Sequence, residues 1–280
     1  MKLGLVDVGG GLRGIYGAGV LDKCLDNGIE FDYCIGVSAG SANICSYLSG
    51  QRGRNFKSYY TYSFRKQYMG LDNFLHKGSY FDLDYVYGDL SLDGAESPLD
   101  FAAFSASRQE FVIVASEAES GKVRYFSKAD MHKDDFSVLK ASSAIPIFCQ
   151  PVEIDGIMYY DGGLSDPVPI KKAFSDDCSK VVLVLTRPLS TVRIPDKDMR
   201  LAKILHRHYP MASHNLALRA KRYNDSVAYA RELAKEGKAL ILAPDDITGV
   251  DTMKKNKDSL MRLYGKGYHD ASAIERFIGV

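Results

Sequence analysis

Short apolar runs, each followed by glycine and then by a helix-patterned stretch, recur along this chain. Leu3 to Val8 reads as a buried strand. Gly9-Gly10-Gly11 follows it, then an apolar helix to about Leu25, with Gly28 where a C-terminal helix cap belongs. A second strand fits Phe31 to Ile35, then Gly36-Val37-Ser38-Ala39-Gly40 and a helix of small residues to about Leu48. Glu110 to Ala115 and Lys122 to Phe126 flank Gly121 as the arms of a hairpin do. Ile157 to Tyr160 is another strand, and Lys180 to Thr186 (KVVLVLT) is apolar enough to be fully buried. A long helix fits Ala212 to Lys235, followed by a strand over Ala239 to Ala243 and two further helical stretches. Strands alternating with helices predict a three-layer α/β/α sandwich around a mostly parallel sheet.

Composition narrows the class. With 280 residues, 46% apolar and 25% charged, the chain is neither disordered nor fibrous and can bury a full core. Lys and Arg number 36 against 35 Asp and Glu, which argues against a dedicated nucleic-acid binder. Five Cys with no C-x-x-C pair indicate neither a disulfide framework nor a zinc knuckle. No His/Asp/Glu cluster has ligand spacing, so neither a metal nor a cofactor is expected. The N-terminus carries no signal-peptide core, and no apolar run reaches the roughly 18 residues that a membrane span requires. The expected compartment is the reducing cytoplasm, which leaves peripheral membrane contact open.

The charge is unevenly placed. From Arg187 onward there are 18 basic and 11 acidic residues, against 18 and 24 before it. The shift falls on a loop-like stretch, Arg187 to Asp198, containing Pro188 and Pro195. We expect a main domain over residues 1–186 and a basic, mainly helical C-terminal region over 187–280. Lys203, Arg207, Arg219, Lys221 and Arg222 lie on those helices, where two readings are open: a solvated helical face that keeps the protein soluble, or contact with an anionic membrane surface.

Two glycine motifs carry the candidate chemistry. Gly36-Val37-Ser38-Ala39-Gly40 fits G-x-S-x-G between a strand and a helix, the context in which a serine stands exposed on a sharp turn. Gly9-Gly10-Gly11-Leu12-Arg13-Gly14 fits G-x-G-x-x-G. As a dinucleotide fingerprint it lacks an acidic residue at the end of the second strand, since Glu30 and Asp32 lie at that strand's beginning. As a P-loop it lacks Gly-Lys-Ser/Thr. The remaining use is an oxyanion hole, with Gly10, Gly11 and Leu12 as N–H donors. In a parallel sheet both loops leave at one edge, so the donors and Ser38 face the same volume if the two strands are neighbours. Arg13 has two uses open to it, binding a phosphate or capping the surface.

A serine nucleophile needs a base. His206, His208, His214 and His269 come late in the chain, but Ser38 comes after only two strands, too early for an α/β-hydrolase order. Asp161, in Tyr159-Tyr160-Asp161-Gly162-Gly163, is the acid we select. Gly9 to Gly14, Gly36 to Gly40 and Asp161-Gly162-Gly163, in this order, resemble the three signatures of patatin-like phospholipases. Ala141-Ser142-Ser143-Ala144-Ile145-Pro146 is similar to a Ser/Ala-Pro segment that the family carries before its aspartate. The resemblance spans roughly residues 3 to 175. It implies a Ser38–Asp161 dyad without histidine, a sheet flanked by helices, and hydrolysis of lipid acyl esters. Two rivals are a dinucleotide-binding protein using Gly9 to Gly14 and a non-catalytic lipid-binding protein of the same fold.

Between Phe56 and Tyr87 stand eleven of the chain's 31 aromatic residues. Core packing and an acyl-chain groove are both open readings of that enrichment.

Overall fold

Residues 1–253 and 255–279 are described by a computed structural model. The apolar runs pair into one mixed sheet in the order β5-β6-β3-β2-β1-β7-β8, with β4 on β3. The strands are β1 (Leu3–Asp7), β2 (Tyr33–Val37), β3 (Glu110–Glu117), β4 (Val123–Ser127), β5 (Val152–Ile154), β6 (Ile157–Asp161), β7 (Lys180–Val184) and β8 (Ala239–Leu242). Strands β1, β2, β3, β7 and β8 are parallel, while β4 and β6 run antiparallel to β3. The sheet is thus mostly parallel, with the antiparallel pairs gathered at one side.

Central strands alternate their side chains between two cores. Leu5, Cys34 and Val182 face one; Val6, Ile35 and Leu183 face the other. The first core is covered by α1 (Ile15–Asp26), α2 (Ala39–Leu48), the short helices α3 (Arg54–Tyr60) and α5 (Phe101–Ala106), and α6 (Ser137–Ser143), while α4 (Leu71–Lys77) keeps its apolar side chains exposed. The second is covered by α7 (Ile170–Ser175) and the later part of α9 (Pro210–Lys235), with α8 (Asp196–Leu205) packed on α9. Helices on both faces make the three layers.

The basic C-terminal region shares this framework. Strand β8 extends the sheet beside β7, and α10 (Lys257–Asp270) lies on α1, followed by α11 (Ala273–Ile278). The α1–α10 approach is unusually close. A Cβ on Gly19 would stand 2.1 Å from the Tyr264 carbonyl oxygen, and one on Gly267 would stand 2.0 Å from that of Tyr16. Only glycine permits that spacing.

The second strand lies two residues later than its apolar pattern predicts, because Gly36 and Val37 continue the ladder against Ile113 and Val114. Gly36 belongs to the strand because α2 folds back over it, where a Cβ would meet the Ser41 Cα at 2.6 Å. Strand β5 was not anticipated, being only three residues long.

Candidate active site

Register alone brings Ser38 and Asp161 together. Val37, the last residue of β2, pairs with Val114 on β3. The next β3 residue, Ala115, pairs with Arg124 of β4 on one edge and with Asp161 of β6 on the other. Strand β6 therefore takes over the edge of β3 that β2 has just left, and the two strand ends meet head to head. Ser38 follows one end and Asp161 closes the other. Their side chains interact, with the Ser38 hydroxyl donating toward the Asp161 carboxylate.

Ser38 sits at φ 57°, ψ −131°, a conformation that costs a non-glycine residue on the order of 1–3 kcal/mol. The surroundings hold it there. Its N–H donates to the Ser142 hydroxyl (2.9 Å), and helix α2 begins at the next residue. Asp161 is fixed from the same segment, its N–H donating to the Ala144 carbonyl (2.8 Å). The stretch from Ala141 to Pro146 thus holds both residues of the pair by their backbones. The Gly163 N–H donates to Asp161 Oδ1 at 2.7 Å, and Gly162 packs so closely that a Cβ would lie 2.2 Å from the Val114 carbonyl oxygen. Burial raises the Asp161 pKa above the ordinary value; the Ser38 and Gly163 hydrogen bonds and the charge of Arg219 oppose this only in part.

The glycine loop leaves β1 at the same sheet edge, since β1 and β2 pair in parallel with Asp7 beside Gly36. Gly9, Gly10 and Gly11 all have positive φ. Gly9 packs directly on the serine turn, where a Cβ would lie 2.3 Å from the Val37 carbonyl oxygen. Gly40 answers from the other side, its would-be Cβ 2.2 Å from the Asp7 carbonyl oxygen. Among the described residues, no acceptor takes the N–H of Gly10 or Gly11. Leu12 is buried in the short 3-10 turn that follows, and Gly14 closes that turn, its carbonyl accepting from Asn43 Nδ2 at 2.9 Å. Arg13 is buried beside Gly10, with one contact from Nη1 to the Thr252 hydroxyl (3.3 Å).

One residue that matters here was missed. Asp7 is fully buried at the end of β1 and accepts from the Gly9 N–H and from Asn43 Nδ2, each at 3.0 Å. Tyr59 in turn donates to Asn43 Oδ1 at 2.9 Å. This chain of bonds ties the glycine loop to α2 and α3. Its signal was visible as a lone acid inside an apolar strand.

Two cavities meet at Ser38. A narrow one of about 90 Å³ is lined by apolar and aromatic side chains, among them Tyr59, Tyr62, Tyr68, Phe81 and Tyr87. The aromatic segment thus serves core and slot together, since these five rings are buried. Arg54 also lines the slot, its guanidinium engaged by the Ser46 and Ser91 hydroxyls and the Ser97 carbonyl. The second cavity, about 470 Å³, mixes apolar and charged side chains and holds Asp161, Gly9, Gly10 and several arginines. All six histidines are exposed, and none lines either cavity. Asp32 accepts from the Leu3 N–H at the opposite ends of the strands, remote from the glycine loop. Among the described residues, no group of three His, Cys, Asp or Glu side chains gathers as a metal site, and no helix is long and apolar enough to cross a membrane. All five cysteines are free and buried.

A sheet with helices on both faces, a serine on a strand-to-helix turn and a glycine loop beside it define a class, and comparison with known proteins agrees. The family described as patatin-like phospholipase matches residues 6–174, so the chain belongs to that family. A domain of unknown function matches residues 209–277. The chain is 31% identical to the uncharacterized protein YjjU of Escherichia coli over 73% of its own length and 57% of that relative's. It is 25% identical to the lysophospholipase NTE1 of Yarrowia lipolytica over 65% of its length, which is 12% of that protein. Among solved structures, VipD from Legionella pneumophila shares the fold at 14% identity and a TM-score of 0.51, covering 98% of this chain and 66% of that one.

Proposed function

We propose that the protein is a serine acyl hydrolase acting on lipid esters, with Ser38 as nucleophile and Asp161 as general base. One observation carries the reading: a strained serine, a buried carboxylate and unengaged backbone N–H groups converge at the mouth of an apolar slot. The slot accepts the acyl chain and brings the ester carbonyl to Ser38. As the serine oxygen attacks, its proton passes to Asp161 and the carbonyl oxygen becomes an oxyanion facing the Gly10, Gly11 and Leu12 N–H groups. Each such donor typically contributes 10²–10³ in rate. Asp161 then returns the proton to the departing alcohol, leaving an acyl-serine. Water, deprotonated by Asp161, releases the fatty acid and restores the serine. An exposed aspartate is too weak a base for this work; burial raises the basicity of Asp161, and the hydrogen bonds from Ser38 and Gly163 offset that rise only in part. The lysophospholipase relative supports lipid esters as the substrate class.

A fluorophosphonate probe is expected to label Ser38, since an activated serine beside N–H donors attacks phosphorus readily. Ser38→Ala should lose labelling and cleavage of acyl esters together while its circular dichroism spectrum stays unchanged. Persistent labelling of Ser38→Ala by mass spectrometry would place the nucleophile elsewhere.

Contact with a membrane belongs to the same reading, on a different surface from the one first expected. Of the five cations selected on sequence, Arg219 binds Asp198, Arg222 binds the Leu164 carbonyl, and Lys221 pairs with Asp225. The rim of the larger cavity offers a better surface. Val192 and Ile194 are 75% and 71% exposed there, beside Lys197 at the start of α8. Each cation near an anionic surface adds about 1 kcal/mol of attraction. Co-sedimentation with vesicles should be stronger for anionic than for neutral lipid, weaken with salt, and fall in Val192→Asp/Ile194→Asp. Unchanged binding of that double variant would remove the rim from the contact.

A further inference from the structure

The apolar slot at Ser38 carries a charge at its far end. Ser38 and three residues of α2, Ala39, Ala42 and Cys45, line it along one face of the helix, so the slot runs beside α2 from its first turn. Arg54 meets α2 at Ser46, its Nη1 donating to that hydroxyl at 3.0 Å. Ser46 stands eight residues beyond Ser38, which is about 12 Å along a helix axis. The serine and the guanidinium therefore mark the two ends of the slot.

Arg54 is an unusual group to find there. Among the described residues that line the slot it is the only charged side chain, and no carboxylate pairs with it. Its hydrogen bonds go to hydroxyls and carbonyls alone. Besides Ser46, Nη2 reaches the Ser91 hydroxyl and the Ser97 carbonyl at 3.0 Å each, and Nε reaches the Ser97 and Pro98 carbonyls at 3.2 and 3.3 Å. Burial lowers its pKa from the ordinary value, and only weak acids, Cys45, Tyr87 and Tyr62, oppose the shift. The guanidinium is also held in place. The Ser46 hydroxyl donates to Asn55 Oδ1 at 2.7 Å and the Ser91 hydroxyl to the Val86 carbonyl at 2.8 Å, so both are already turned to receive the arginine. Arg54 ties α2 to the Ser91 turn and to Ser97-Pro98, and it cannot step aside for a ligand without breaking those bonds.

An acyl chain entering from Ser38 gains by burying methylenes until it meets this charge. Each CH2 removed from water tightens binding about fourfold. A methylene pressed against the guanidinium strips its remaining hydration, and an unpaired charge is the costliest group to bury. The step that is favourable along the slot thus turns unfavourable at its end. A carbon–carbon bond of about 1.52 Å at the tetrahedral angle advances an extended chain by about 1.2 Å. About ten carbons then span the distance from Ser38 to Arg54.

Resting on the hydrolase reading, we propose that Arg54 is the end stop of the acyl slot, and that the preferred esters carry short- to medium-chain acyl groups of about ten carbons or fewer. Arg54 touches none of the reacting atoms. It selects the chain by length and leaves the acyl-transfer steps to Ser38 and Asp161.

The test separates binding from turnover. Ser38→Ala protein is titrated by calorimetry with straight-chain monoacylglycerols from hexanoyl to hexadecanoyl, each below its aggregation concentration. Affinity should climb about fourfold per added methylene and stop climbing near the decanoyl chain. Adding Arg54→Met replaces the charge with an apolar side chain and should carry the climb onward, so that the dodecanoyl lipid gains on the order of tenfold over the protein with Arg54 intact. Adding Ala42→Phe instead leaves the Arg54 hydrogen bonds in place and fills the slot one turn from Ser38. Its break should fall to chains shorter than octanoyl, a readout that holds even where Arg54→Met does not fold. A climb that continues to the longest chain with Arg54 intact, or a break that stays in place in folded Arg54→Met, would overturn the proposal. So would an Ala42→Phe profile identical to that of its parent. A chain ending in a carboxylate that binds more tightly than its methyl-ended counterpart would make Arg54 a receptor for that end, and the length assignment would fall with it. Because the titrated protein cannot turn over, these outcomes stand apart from the hydrolase reading. A wild-type protein that cleaves no ester would end that reading without moving the affinities.

Discussion

Asp161→Asn is expected to lower turnover of acyl esters by two to four orders of magnitude, the usual span of a general base. The amide keeps the shape of the carboxylate and loses its capacity to take the serine proton. His206→Gln, His208→Gln, His214→Gln and His269→Gln should each stay within a few-fold of wild type, since all four side chains are exposed and none lines a cavity at Ser38. Loss of activity in any one of them would replace the dyad with a Ser–His arrangement. The acid side of the pH profile offers a second reading of the same residue. Burial holds the Asp161 pKa above the ordinary 3.8, so kcat/KM should fall as pH drops through that raised value and the base becomes protonated. An acid limb centred at or below 3.8 would place the proton transfer on another group.

Stability should fall as pH rises from 4 to 7 by an amount that disappears in Asp7→Asn. Full burial pushes the Asp7 pKa up to about 6 from 3.8, and the Asn43 and Gly9 donors only moderate this. A raised carboxyl pKa means that the folded state holds a proton that the unfolded chain has already lost. The contribution is therefore fully present below pH 3.8 and is lost as pH rises through about 6. A difference of about two pKa units corresponds to roughly 3 kcal/mol. Asp161 adds a step of the same sign, which both proteins share, so the comparison isolates Asp7. Urea midpoints of wild type and Asp7→Asn measured across this range should diverge. Parallel profiles would show that Asp7 titrates as an ordinary carboxylate. Asp7 touches no reacting atom; it is a positioning residue that holds the Gly9 N–H against α2.

Much of the site was legible because its chemistry depends on glycine. The contacts at Gly9, Gly36, Gly40 and Gly162 leave no room for a Cβ, and a requirement of that kind shows directly in a sequence as a glycine. Asp7 was harder to read, since a lone acid after an apolar strand has no spacing partner; its meaning comes from Asn43, 36 positions later. The basic cluster was legible only in part, for a related reason. Arg219 and Arg222 are surface-like residues by composition, yet one closes on buried Asp198 and the other on the Leu164 carbonyl. Charge counts along a chain do not register which cations already have partners.

The alternation of apolar strands with helices determined the layered architecture, because each element must bury one face against another. The turn geometry at Ser38 and the open backbone of Gly9 to Gly11 were determined just as locally, by the absence of side chains. Only the tertiary structure decided which strand ends meet. The encounter of Ser38 with Asp161 requires β6 to dock on the edge of β3 that β2 vacates at Val114, a matter of register between segments more than a hundred residues apart. It likewise decided that Arg187 and Arg193 converge on Arg13 around one cavity. Backbone conformation is a local property, and the sequence states it in place. Convergence of distant side chains follows from packing the whole chain, and no stretch of the sequence carries it alone.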